Sequence, residues 1–174
     1  AINEVAPKGL GAARGRRISI VGMAGGSEKP TRRISGIGEF DRVCGGGLVP
    51  GTALLVGGDP GIGKSTVMLQ AAAALSGQMT VIYISGEEAI DQLRMRAERL
   101  GLANSAVQLA AATSVRDIVT TLDEGEAPGL VIIDSIQTMF VDSLDSAPGT
   151  VSQVRASAQE LVRQAKRRGF TVIL

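Results

Sequence analysis

The chain has 174 residues, of which 18 are basic, 17 are acidic and none is histidine. The lack of histidine excludes Ser-His and Cys-His catalytic pairs and histidine-bound metals. The single cysteine excludes an internal disulfide and a cysteine zinc site within the chain. No run of about 18 uninterrupted apolar residues occurs, so the sequence predicts a cytoplasmic protein without a membrane span. These counts leave phosphate chemistry based on backbone amides, lysine, carboxylates and a metal ion.

Positive charge is concentrated near the N-terminus. Residues 1–33 hold seven basic and two acidic side chains, a net charge of +5, whereas residues 34–174 have a net charge of −4. The first stretch is also rich in Gly, Ala and Ser and has little hydrophobic periodicity. We therefore expect residues 1–32 to form a flexible basic linker or arm, either a solvated tether or a segment that contacts nucleic acid.

From residue 50 onwards, apolar runs typical of strands alternate with stretches typical of helices, the first of which is Ala/Leu-rich and suits a buried helix. Strands are predicted at 53–57, 80–85, 107–111, 129–135 and 170–174. Helices are predicted at 66–76, 88–101, 114–124 and 151–169. This alternation predicts an α/β fold with a mostly parallel sheet covered by helices on both faces. Because the last residues still read as an apolar strand, we expect the chain to be a fragment of a longer protein.

A glycine-rich loop carries the clearest chemical signal. It matches the pattern G-x-x-x-x-G-K-[ST] between a predicted strand and a predicted helix. Its residues are Gly58, Asp59, Pro60, Gly61, Ile62, Gly63, Lys64, Ser65 and Thr66. Such a loop points successive N–H groups, and the positive end of a helix dipole, at a phosphate. We expect Lys64 to reach the β- and γ-phosphates, Ser65 to ligate Mg²⁺ and Thr66 to contact the α-phosphate.

Carboxylates follow two of the predicted strands. Asp134 ends the apolar run 131–133, where it would hold Mg²⁺ through a water molecule. Glu87 and Glu88 come directly after the strand at 80–85. One of them would polarise an attacking water as a general base, or both would simply begin the next helix, where acidic residues favour the dipole. Position alone does not decide between these interpretations.

Five stretches form a combination that is more specific than the phosphate loop alone. They are RISGIGEFDRVCGGGLVPG at 33–51, GGDPGIGKST at 57–66, YISGEEAIDQLRMRAERLG at 83–101, VIIDSIQT at 131–138 and SAPGTVSQVRASAQELVRQAKRRG at 146–169. This combination resembles the RecA-type ATPase core of the bacterial RadA (Sms) family of DNA repair proteins. The resemblance implies a truncated RecA-like P-loop NTPase fold for residues 33–174. It also implies that the strand starting at Phe170 lies between the P-loop strand and the Asp134 strand.

The resemblance also implies roles for individual residues and partners. It makes Glu87 rather than Glu88 the catalytic glutamate, acting with Lys64, and it brings Arg96 near the adenine base. It implies ATP and Mg²⁺ as cofactors, with zinc only in an upstream module that is absent from this chain. The implied function is a DNA-dependent ATPase that drives branch migration of recombination intermediates, although this fragment alone is expected to be poorly active. The implied partners are single-stranded or branched DNA, recombinase and replication-type DNA machinery, and further copies in a ring that is expected to be hexameric.

Two other functions compete with this interpretation. A nucleotide-sensing regulatory ATPase of the KaiC type shares the layout from GGGLVPG to the phosphate loop and would act through protein contacts. The SAPGTVSQVR stretch favours the DNA repair ATPase instead. A catalytically silent oligomerisation core is disfavoured because Lys64, Ser65, Glu87 and Asp134 are all present.

Overall fold

The computed structural model describes residues 18–25 and 30–174. The predicted basic linker at 1–32 lies largely outside these residues. Its described stretch at 18–25 is exposed and contains neither helix nor strand. The linker and the domain boundary at residue 33 therefore stay predictions. Among the described residues, no helix is long and apolar enough to cross a membrane.

Helices and strands alternate along the described chain. The helices are α1 (Gly38–Val43), α2 (Lys64–Leu75), α3 (Ile90–Arg99), α4 (Val115–Asp123) and α5 (Val151–Arg168). The strands are β1 (Ala53–Leu54), β2 (Val81–Ser85), β3 (Gln108–Ala111), β4 (Leu130–Asp134) and β5 (Thr171–Ile173). A short 3-10 helix, Ile136–Thr138, follows β4. Every predicted helix and strand is present with its ends slightly displaced, whereas α1 and the 3-10 helix were not predicted.

The five strands form one parallel sheet in the order β1-β5-β4-β2-β3. Strand β5 lies between β1 and β4, which confirms the position implied for the strand starting at Phe170. In the β2–β4 ladder, Ser85 pairs with Asp134, so these two strands end at the same level. Parallel strands present their carboxyl ends at one edge, and ligands of open α/β sheets bind at that edge.

Helices cover both faces of the sheet. Successive residues of β4 show this arrangement, because Val131 and Ile133 pack into one apolar cluster with α4 and α5. Leu130 and Ile132 pack into the opposite cluster with α2 and α3. Strand side chains alternate between the two faces of a sheet, so a strand buried on both faces reads as a continuous apolar run. The predicted α/β fold, with a parallel sheet covered on both faces, is confirmed.

Helix α5 has both of its ends fixed by local chemistry. The Thr150 hydroxyl accepts a hydrogen bond from the Gln153 N–H at its start. At its end the Gly169 N–H donates to the Ala165 carbonyl at 2.8 Å, and the last turn is basic. Positive side chains at a helix C-terminus complement the dipole, and glycine there permits a left-handed cap. The helix end predicted from Gly169 is thereby confirmed.

Candidate nucleotide-binding site

The phosphate loop connects β1 to α2 at the edge of the sheet where the strands end. Gly61 and Gly63 have φ values of 78° and 98°, a backbone region that favours glycine, so the loop turns tightly before α2 begins at Lys64. The first turn of α2 has no side-chain cap and contains no acidic residue. Its N–H groups and its positive dipole end therefore remain suited to binding an anion.

Lys64 is held over the loop by backbone oxygens. Its ammonium group donates hydrogen bonds to the Gly58 carbonyl at 2.7 Å and to the Asp59 carbonyl at 2.8 Å. Within residues 18–25 and 30–174, no carboxylate forms an ion pair with this ammonium. The charge of Lys64 is therefore not neutralised by a side chain, and it can be offered to the phosphates of a nucleotide.

Asp134 lies at the end of β4, beside the end of β2. The hydroxyl of Tyr83, a fully buried residue of β2, donates a hydrogen bond to one of its carboxylate oxygens. Burial, followed by the hydrogen bond and charge of Asp134, raises the pKa of Tyr83 well above its usual value. The hydroxyl therefore stays protonated and acts as a donor, leaving the second oxygen of Asp134 for another ligand.

Glu87 and Glu88 have different surroundings, although they are adjacent in the chain. Glu87 is exposed, and its Oε1 accepts a hydrogen bond from the Ser135 hydroxyl at 2.7 Å. Glu88 forms an ion pair with Arg96 of α3, and both of these side chains are 25% exposed. The carboxylate of Glu88 is therefore already neutralised, whereas that of Glu87 is open to solvent. This difference favours Glu87 as the residue that meets an attacking water.

Arg96 was predicted to lie near an adenine base, and in the structure it forms an ion pair with a carboxylate. It pairs with Glu88, and its positive charge also acts on Tyr83, so it lies close to the polar end of β2. The neighbouring Arg94 is exposed and pairs with Asp91. The contact of Arg96 with an adenine base stays a prediction.

The residues suited to Mg²⁺ are Ser65, in the first turn of α2, and Asp134. In the described part of the chain, no group of three or more His, Cys, Asp or Glu residues could hold a metal by itself. Magnesium characteristically keeps several waters and binds one or two protein oxygens together with substrate phosphates. A hydroxyl and a carboxylate with one uncommitted oxygen fit this requirement, so Ser65 and Asp134 would hold the ion.

Two residues near the site were missed by the sequence interpretation. Tyr83 and Ser135 occur within the quoted motifs, yet neither was given a role. A signal for Tyr83 was present, because a buried tyrosine hydroxyl normally needs a hydrogen-bond partner and Tyr83 falls in an apolar strand. Ser135 offered only its position after Asp134.

Comparisons with known proteins identify the family to which the chain is similar. The AAA domain family matches residues 34–174. The chain is 55% identical over 166 residues to the DNA repair protein RadA of Brucella abortus, covering 92% of this chain and 36% of that protein. It is 43% identical over 164 residues to the DNA repair protein RadA of Escherichia coli, covering 94% of this chain and 35% of that protein. The chain thus spans about a third of the length of these relatives.

A solved structure provides a comparison of fold. A DnaB-like replicative helicase, described together with its interactions with primase, matches with a TM-score of 0.65 and 18% identity. The match covers 84% of this chain and 43% of that chain. At this identity the likeness concerns the fold alone, and it supports a RecA-like P-loop NTPase fold. With the family match and the relatives above, the chain belongs to the AAA domain family and is a RadA-like member of it.

Proposed function

We propose that this chain binds ATP at its phosphate loop and hydrolyses it as the motor of a DNA repair protein. The observation that carries the proposal is that Lys64, Asp134 and Glu87 all lie at or just beyond the edge of the sheet where the parallel strands end. Lys64 has no carboxylate partner in the described chain, and Glu87 is exposed beside Asp134. A cation over a glycine loop and two separated carboxylates are the groups that phosphoryl transfer to water requires.

The residues would divide the reaction between them. The α2 N-terminus and Lys64 bind the phosphates and neutralise the charge that develops as the bond between the γ-phosphorus and the bridging oxygen breaks. Glu87 orients a water molecule, whose oxygen forms the new bond to the γ-phosphorus, and accepts its proton while ADP leaves. Ser65 and Asp134 would hold Mg²⁺, which when bound supplies further neutralisation of phosphate charge.

The DNA-directed part of the proposal rests on relatives and on charge. The relatives are DNA repair proteins by name. The core at 34–174 has a net charge of −4, so we assign DNA contact to the basic residues 1–33 or to parts of the protein outside this chain. The finer function is branch migration of recombination intermediates by a ring, expected to be hexameric, on single-stranded or branched DNA. Recombinase and replication-type machinery would be its protein partners.

The test is ATP hydrolysis by the full natural protein, measured with and without single-stranded DNA. We expect DNA to stimulate hydrolysis, and we expect Lys64→Ala to abolish nucleotide binding or turnover. The matched control is Lys166→Ala, because Lys166 is an exposed lysine in the last turn of α5. DNA-stimulated hydrolysis that survives in the Lys64→Ala protein would overturn the proposal.

A second candidate is a nucleotide-sensing regulatory ATPase of the KaiC type, which acts through protein contacts. The acidic core favours it, because a net charge of −4 over residues 34–174 gives nucleic acid little attraction to the core itself. The same assay separates the two candidates. A regulatory ATPase would hydrolyse ATP at a rate that does not respond to single-stranded DNA.

A further inference from the structure

Strands β2 and β4 exchange side-chain hydrogen bonds where they end. The hydroxyl of Tyr83, on β2, donates to the carboxylate of Asp134, the last residue of β4. In the opposite direction, the hydroxyl of Ser135, directly after β4, donates to the carboxylate of Glu87, just beyond β2. The end of each strand thus supplies a hydroxyl that donates to a carboxylate at the end of the other strand.

The Tyr83 hydroxyl has a fixed position. Its ring is fully buried in the cluster on the α2–α3 face of the sheet, together with Leu93 and Ile132. Tyr83 of β2 pairs with Ile132 of β4, and Asp134 lies two residues after Ile132 on β4. Residues two apart on a strand share a face, so the ring lies along the face from which the Asp134 side chain extends. A packed ring presents its hydroxyl to the carboxylate with little freedom to rotate away.

The Ser135 hydroxyl is also held by its surroundings. The Ser135 carbonyl accepts hydrogen bonds from the Thr138 N–H at 3.2 Å and from the Thr138 hydroxyl at 2.9 Å. These bonds tie Ser135 to the 3-10 helix and fix the backbone from which its hydroxyl reaches Glu87. A charge-assisted hydrogen bond from a fixed donor restrains the rotamers of an exposed carboxylate, which would otherwise sample many positions.

We propose that Tyr83 and Ser135 are positioning residues for ATP hydrolysis, acting through Asp134 and Glu87. Tyr83 occupies one oxygen of Asp134 and leaves the other available, so that Asp134 would hold Mg²⁺ through that oxygen. Ser135 holds Glu87 where it orients the attacking water. The inference rests on the proposed function, because it assigns the metal role to Asp134 and the water role to Glu87.

The first test is Tyr83→Phe, which removes the hydroxyl and keeps the ring. Binding of a fluorescent ATP analogue is titrated with Mg²⁺ and, separately, in EDTA. We expect the half-saturating Mg²⁺ concentration to rise by about tenfold or more, because the free energy of a hydrogen bond to a charged group corresponds to at least this change in affinity. Binding of the analogue in EDTA should be unchanged. The matched control is Ile132→Val, which loosens the same apolar cluster and should leave the Mg²⁺ dependence at its wild-type value.

The second test is Ser135→Ala, measured by steady-state hydrolysis. We expect kcat to fall by about tenfold with KM for ATP unchanged, because the lost contact acts on the water rather than on nucleotide binding. Ser135→Thr keeps a hydroxyl and should retain most of the wild-type kcat. Such a recovery would show that the hydroxyl, rather than packing at residue 135, determines kcat.

The outcomes separate this inference from the proposed function. Suppose that DNA stimulates hydrolysis by the wild type, but that Tyr83→Phe has an unchanged Mg²⁺ dependence and Ser135→Ala an unchanged kcat. These results would overturn the inference and leave the proposed function standing. A wild type that neither binds nor hydrolyses ATP would overturn both. If Tyr83→Phe does not fold, the kcat of Ser135→Ala and its recovery in Ser135→Thr decide the inference.

Discussion

Gly86 packs directly against Thr138. A Cβ atom at residue 86 would stand 2.0 Å from the Thr138 Oγ1 and 2.9 Å from the Met139 Cε. The N–H of Gly86 also donates to the Asp134 carbonyl at 3.0 Å, so this glycine joins the end of β2 to the end of β4. Glycine at this position permits the close approach that brings Glu87 beside Asp134.

Gly86→Ala should therefore displace the 3-10 helix from β2. We expect a loss of about 1–3 kcal/mol in the free energy of unfolding, the usual cost of overpacking, together with reduced ATP turnover. Urea denaturation measures the first effect. The matched control is Gly77→Ala, because a Cβ at this exposed glycine would have no atom within 4 Å. Equal stability of the two variants would contradict the close packing of Gly86.

Gln153 fixes the loop between β4 and α5 from a buried position. Only 1% exposed, it accepts a hydrogen bond from the Val141 N–H at 2.9 Å. Its amide group donates to the carbonyls of Val141, Leu144 and Ser146, at 3.3, 3.2 and 2.9 Å. One side chain therefore supplies hydrogen-bond partners to four backbone groups of this irregular loop.

Gln153→Leu should remove the hydrogen bonds that Gln153 makes to the Val141 N–H and to the carbonyls of Leu144 and Ser146. We expect it to lower the free energy of unfolding by about 1–3 kcal/mol, the cost of leaving a buried polar group unsatisfied. Hydrogen exchange should show faster exchange of the Val141 amide. Gln159→Leu is the control, because Gln159 is an exposed glutamine of the same helix. The account is contradicted if the two leucine variants unfold at the same urea concentration.

Asp41 should make folding sensitive to acid. Burial by itself raises its pKa, but hydrogen bonds from the N–H and hydroxyl of Ser35 and the N–H of Gly36 outweigh burial, so the pKa lies below its usual value of 3.8. Because the folded-state pKa is the lower one, the ionised carboxylate stabilises the fold above about pH 4. This contribution is lost as the pH falls from there through the folded-state pKa.

The comparison that checks this is Asp41→Asn against wild type, by urea denaturation at pH 7 and at pH 3. We expect wild type to have the larger free energy of unfolding at pH 7. The difference in free energy of unfolding between the two proteins should be smaller at pH 3. Glu39→Gln, a change at an exposed carboxylate of α1, is the control and should show a small difference at both values. An equally large stability difference between wild type and Asp41→Asn at pH 3 would contradict the role of the Asp41 charge.

Much of the fold was predictable because a buried strand leaves a short continuous apolar run and an amphipathic helix leaves a periodic pattern. Helix α1 left none, since a stretch of six residues is too short for the helical period and is held by hydrogen bonds that the N–H and hydroxyl of Ser35 donate to the Asp41 carboxylate. The phosphate loop was predictable because its chemistry is local in sequence. The contacts of Tyr83 with Asp134 and of Ser135 with Glu87 were not, since they join residues 51 and 48 positions apart. Only the register of β2 against β4 brings them together.

The central claim is that Glu87 activates water for ATP hydrolysis beside the phosphate loop. Its most direct test is the rate of phosphate release from MgATP by wild type, Glu87→Gln and Glu88→Gln, in the presence of single-stranded DNA. We predict that Glu87→Gln lowers the rate by about 100-fold or more, the usual contribution of a general base, while ATP binding persists. Glu88→Gln should lower it far less, because Glu88 is already paired with Arg96. A wild-type rate in Glu87→Gln, or a larger loss in Glu88→Gln, would contradict the account.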